Sequence, residues 1–142
     1  EHNIKLFKDM QHRNKNISLQ VCCTVNVFNV LYLSEVAKWI YDKKFDFVYW
    51  NILHDAPQYS ISTLPATAKE KIAQILNLQI FPQNYEKEIK GIVAFMLNGI
   101  STNGKTLRDS IRQIDQRRNQ NLATVQPEFA KLIDYDFENT SG

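Results

Sequence analysis

The stretch that decides the fold runs from Leu19 to His54. It reads Leu19-Gln-Val-Cys-Cys-Thr-Val-Asn-Val-Phe28, then Asn29, then Ser34-Glu-Val-Ala-Lys-Trp-Ile-Tyr-Asp-Lys43, then Phe45-Asp-Phe-Val-Tyr-Trp-Asn-Ile-Leu-His54. The first and third pieces are rich in β-branched and aromatic residues with an apolar period of two, and the middle piece has the 3.6-residue period of an amphipathic helix. Strand, helix, strand is a βαβ unit, and a helical crossover makes its two strands parallel. Ligands of parallel α/β folds gather at the carboxyl ends of the strands. Thr24, Asn26, Asn29, Asn51 and His54 are therefore the candidate site residues. Two strands do not close a sheet, so the chain reads as part of a larger fold. Its start at Glu1 rather than Met reads as a cut end.

Within the first strand, Ile17, Leu19, Val21, Cys23, Val25 and Val27 fall on one face. Ser18, Gln20, Cys22, Thr24, Asn26 and Phe28 fall on the other, a semi-polar face suited to a ligand-filled interior. Upstream, Ile4, Phe7 and Met10 give residues 1–15 a helical stripe. Ser34 is a candidate N-cap for the crossover helix, whose buried face is Val36, Trp39 and Ile40.

Downstream the pattern is helical. Pro65 sits in the first turn of a helix striped by Ala68, Ile72, Ile75 and Leu76. A second helix, about 83–97, carries Tyr85, Ile89, Val93 and Met96. A third, about 105–118, carries Leu107, Ile111 and Ile114, with Thr106 and Asp109 resembling a capping box. Residues 127–133 read as a short last helix, and the tail from Asp134 as polar and frayed. The organisation expected is 1–98 for the last strands and helices of an α/β unit and 99–142 for a C-terminal helical extension.

A net charge of +2 is too small to argue for a nucleic-acid or membrane partner. Arg108, Arg112, Arg117 and Arg118 make one helix locally basic, but a solvated face or pairing with Asp109 and Asp115 accounts for them. No run is long and apolar enough for a membrane span, and no secretory leader pattern is present. His2, His12 and His54 are scattered and form no metal-ligand spacing. The adjacent Cys22 and Cys23 exclude a disulfide network, which points to a cytoplasmic protein with reduced thiols. Nucleotide-binding glycine loops and the hydrolase and metalloprotease signatures are absent. Bland readings stand beside the functional ones: His54 as a loop hydrogen-bonder, and Asn29 as a turn former bonding nearby backbone.

Several pieces, in order, resemble the C-terminal part of radical S-adenosylmethionine proteins of the twitch or SPASM-like type, a group common in phage and marine bacterial sequence. They are Thr24-Val-Asn-Val-Phe-Asn29, Val30-Leu-Tyr-Leu33 with Ser34-Glu-Val-Ala-Lys-Trp39, Asn51-Ile-Leu-His-Asp-Ala-Pro57, Leu64-Pro65, Ile114-Asp-Gln-Arg-Arg-Asn-Gln120 and Pro127-Glu-Phe129. The resemblance implies the final βαβ portion of a partial (β/α)6 TIM-like barrel followed by C-terminal helices. It implies Thr24, Asn26 and Asn29 on the cofactor side and Asn51 and His54 on the substrate side of a cavity. It also implies S-adenosylmethionine and a [4Fe–4S] cluster in the parent protein. The CxxxCxxC cluster loop of that group is missing here, so the chain alone is expected to bind no cluster and to be inactive. The expected partner is the missing N-terminal barrel portion, with self-association through bare strand edges in its absence. A standalone α/β protein-interaction module and a helical nucleic-acid-associated module are the competing readings.

Overall fold

The computed structural model describes residues 1–82 and 84–136. The chain opens with helix α1, His2–Arg13, of which no residue is buried. Gln11 and Lys8 tether it to the start of the second strand: the Gln11 amide donates to Asp46 at 2.5 Å, and Lys8 donates to the Lys44 carbonyl. Strand β1, Gln20–Val25, helix α2, Leu33–Lys43, and strand β2, Phe47–Ile52, follow. The strands pair in parallel, in register from Gln20 opposite Phe47 to Val25 opposite Ile52. Lys44 caps α2 in the left-handed region, φ 51°, and turns the chain back toward β2.

Beyond β2 the chain is helical. Short 3-10 turns at Pro57–Tyr59 and Ile61–Thr63 lead to α3, Ala66–Leu78, α4, Glu86–Asn98, α5, Lys105–Arg118, α6, Leu122–Val125, and α7, Pro127–Leu132. Among the described residues the sheet has two strands and no more. The expected partial barrel is therefore overturned: this is a mostly helical chain around one small parallel sheet. The physical reason lies after His54, where apolar residues recur at helical rather than alternating spacing and offer no third strand.

The helices bury their stripes together. Ile72, Ala73 and Leu76 of α3, Ile92, Val93 and Met96 of α4, Leu107 and Ile111 of α5, and Phe129 and Ala130 of α7 join Val25, Val27, Val30 and Leu31 in one cluster. That core runs across residue 98, so residues 1–98 and 99–142 share it. A smaller cluster of Ala37, Ile40 and Tyr85 covers one face of the sheet, packed on Val21, Cys23, Val48 and Trp50.

Local details depart from the sequence reading in consistent ways. The 3-10 turn Val30–Tyr32 runs straight into α2, so Tyr32 holds the N-cap position and Ser34 lies inside the helix. Gly104, with φ 72°, precedes α5, and Asp109 pairs with Lys105 and Arg112 instead of closing a capping box. Tyr135 is buried and its N–H donates to the Ala130 carbonyl at 2.8 Å, so the chain is anchored past Asp134. The rest of the tail expected to fray, 137–142, lies outside the described residues, as does Gln83 near the expected start of α4. No helix among the described residues is long and apolar enough to cross a membrane.

Candidate functional site at the open face of the parallel pair

The two faces of the sheet are unlike. The face toward α2 carries Val21, Cys23, Val48, Trp50 and Ile52, all half-buried or better. The opposite face carries Gln20, Cys22 and Thr24 beside Phe47, Tyr49 and Asn51, and only Thr24 of these is half-buried. Phe47 is 52% and Tyr49 54% exposed. Parallel strands are normally covered on both faces, so two bare aromatic rings here depart from the usual arrangement.

At the carboxyl end Thr24 stands opposite Asn51. The loop beyond is stiff because two asparagines are consumed in building it. Asn29 Nδ2 donates to the Thr24 carbonyl at 3.0 Å, and Asn29 Oδ1 accepts from the Asn26 N–H at 2.9 Å. Asn26 Oδ1 accepts from the Phe28 N–H at 2.9 Å, an Asx turn, and its Nδ2 reaches the Thr24 carbonyl at 3.5 Å. The side chains of Asn26 and Asn29 are thus committed to backbone. Phe28 turns away from the open face: its ring packs on Tyr59 and Phe129 at centroid distances of 5.6 and 6.1 Å.

Thr24, Asn51 and His54 keep their side-chain hydrogen-bonding groups open among the described residues. His54 lies edge-on to Phe95 at 5.2 Å, which orients the ring without using its nitrogens. The Cys22 thiol is exposed on the same face. Cys23, one residue on, points to the covered face, where burial first and the neighbouring Cys22 second raise its pKa above the ordinary thiol value. Thr24 and Asn51 stand together on the open face beside Tyr49, whereas His54, past the strand's end, packs on Phe95 of α4 and is not brought onto that face.

The residues do not suit an iron–sulfur cluster. Two adjacent thiols on opposite sheet faces cannot share one metal centre, and no group of three or more His, Cys, Asp or Glu capable of holding a metal occurs among the described residues.

Other committed groups went unread in the sequence. Lys69 is 2% exposed, and its ammonium donates to the Ser62 carbonyl at 2.6 Å and the Gly99 carbonyl at 2.9 Å. Burial lowers its pKa. Arg108 donates to the Asn103 and Ile133 carbonyls at 3.0 and 3.1 Å, and Arg112 pairs with Asp109 at 2.9 Å. Half of the basic helix is therefore spent on internal contacts, and Arg117 and Arg118 remain exposed at its end. No family model, curated protein or solved structure matches the chain.

Proposed function

We propose that this chain acts as the C-terminal part of a radical S-adenosylmethionine enzyme of the twitch or SPASM-like type, and that it supplies one wall of that enzyme's ligand site. The observation that carries the reading is the uncovered sheet face, with Thr24 and Asn51 side by side at the carboxyl end of a parallel pair. The ordered sequence elements that resemble this group run from Thr24 to Phe129, and two of them open at the carboxyl ends of the strands, at Thr24 and Asn51. In this reading Thr24 contributes its hydroxyl and Asn51 its amide to a bound polar ligand. Asn26 and Asn29 hold the loop that fixes Thr24. The cluster and its reductive chemistry come from a segment other than this one, since no residue set here suits it.

The test is the coding frame upstream of Glu1. An in-frame CxxxCxxC is expected, and the protein made from that whole frame should cleave S-adenosylmethionine reductively after anaerobic cluster reconstitution. Thr24→Val and Asn51→Ala in that protein should raise the KM for cofactor or substrate. A frame whose start codon lies immediately before Glu1 and which encodes no cysteine loop overturns the proposal.

The bare rings of Phe47 and Tyr49 favour one second reading, a module that binds another protein by adding a strand to its open sheet edge. The coding frame separates the two, because the fragment reading also expects self-association through bare strand edges. Self-association abolished by Tyr49→Lys, in a protein whose frame lacks the cysteine loop, supports the module.

A further inference from the structure

A cavity of about 370 Å³ lies between α5, α6 and the turn at Tyr59, behind the loop that follows β1 and away from the open sheet face. Its size falls at the small end of the range for ligand pockets. Phe28, Tyr59, Ile114 and Val125 form apolar walls, and Val125 is 68% exposed, an unusual position for an aliphatic side chain beside such a cavity. Two opposite charges, Asp115 and Arg118, also line it, one turn apart on α5.

Residues at this spacing on a helix ordinarily pair, yet no ion pair joins these two. Asp115 is 6% exposed and is held from behind. Its Oδ2 accepts from the Leu122 N–H at 2.8 Å and from the Tyr135 hydroxyl at 2.7 Å. Its Oδ1 carries no hydrogen bond among the described residues, and neither does the Arg118 guanidinium. Oδ1 is not sealed from solvent, and an open carboxylate oxygen takes a hydrogen-bond donor well, a cationic one best. An unpaired guanidinium at the rim calls for a carboxylate. One ligand class answers both charges and fills the apolar walls as well.

We propose that this cavity binds an α-amino acid with a large apolar side chain. The ammonium sits on Asp115 Oδ1, the carboxylate on Arg118, and the side chain lies against Phe28, Tyr59 and Val125. The site is independent of the sheet face and does not rest on the radical S-adenosylmethionine reading.

The probe is L-phenylalanine, titrated into the full chain and followed by heteronuclear NMR. Phenylacetate, phenethylamine and glycine serve as probes lacking the ammonium, the carboxylate and the apolar body. Saturable shifts at Phe28, Tyr59 and Val125 are expected with phenylalanine, and each partial probe should bind about tenfold or more weakly, the cost of one charge-assisted contact. Arg118 is exposed, so Arg118→Gln should fold normally, weaken phenylalanine by about tenfold and leave phenethylamine unchanged. Val125→Trp, which fills the mouth, should abolish all binding. Equal binding of phenylacetate and phenylalanine, no saturable shifts at these residues, or an unaltered phenylalanine affinity in Arg118→Gln overturns the proposal.

Discussion

The Tyr135 hydroxyl donates to Asp115 Oδ2 at 2.7 Å, joining the last turn of α5 to the chain beyond α7. The same oxygen takes the Leu122 N–H at the start of α6. One buried carboxylate therefore organises three segments, and it does so facing the cavity proposed to hold an amino acid.

Tyr135→Phe should destabilise the fold by about 1–2 kcal/mol, because it leaves one buried carboxylate site unmatched. The pH dependence has a definite sign. Burial, then the hydrogen bond and negative charge of Asp115, raise the Tyr135 pKa well above its ordinary value of 10.0, against an opposing effect of Arg112. The folded state keeps a proton that the unfolded chain releases. The stability due to this group is thus fully present below about pH 10 and falls as pH rises further. Urea unfolding across the alkaline range should show that decline in the native sequence and a flatter profile in Tyr135→Phe.

Lys69→Met should remove two hydrogen bonds and leave the Ser62 and Gly99 carbonyls without their shared donor. A loss of about 2–4 kcal/mol is expected, since charge-assisted bonds in a buried setting are among the stronger ones. Amide hydrogen exchange should localise the loosening to residues 60–64 and 99–102. A uniform change across the chain would argue against the bracing role.

Two glycines should respond in opposite ways. A Cβ on Gly91, inside α4, meets nothing within 4 Å, so Gly91→Ala should stabilise the chain by about 0.5–1 kcal/mol through helix propensity and backbone entropy. A Cβ on Gly99 would lie 2.5 Å from both the Cβ and the carbonyl oxygen of Ser62. Gly99→Ala should cost about 1–3 kcal/mol by overpacking the junction that Lys69 braces. Thermal unfolding of both variants measures the contrast.

Thiol labelling reads out the two sheet faces. Cys22 is exposed, whereas Cys23 is half-buried with its pKa raised, so maleimide should modify Cys22 first and Cys23 only on unfolding. Cys22→Ser should remove the fast phase and Cys23→Ser the slow one. In a longer protein whose other segments cover the open face, the fast phase should vanish.

The change of apolar period from two to 3.6 and back, between Leu19 and His54, was by itself enough to determine a parallel pair bridged by a helix. The stripes of Ile72 and Leu76, of Val93 and Met96, and of Leu107 and Ile111 determined three of the later helices. Those features are local, because a repeat of two or 3.6 residues reports which side of an element meets the core. The size of the sheet was not local. No residue in either strand says whether a neighbour exists, and only the packed chain showed, among the described residues, two strands with one covered face and one bare face. The same limit applied to the site. Asn26 and Asn29 were legible as loop or ligand residues, and the packed chain shows their side chains bonded to the loop backbone. Lys69 and Asp115 looked like ordinary helix charges, since the groups they hold, Gly99 and Tyr135, lie 30 and 20 residues away. Contacts at that separation exist only after the helices pack, and the tertiary structure alone assigns them.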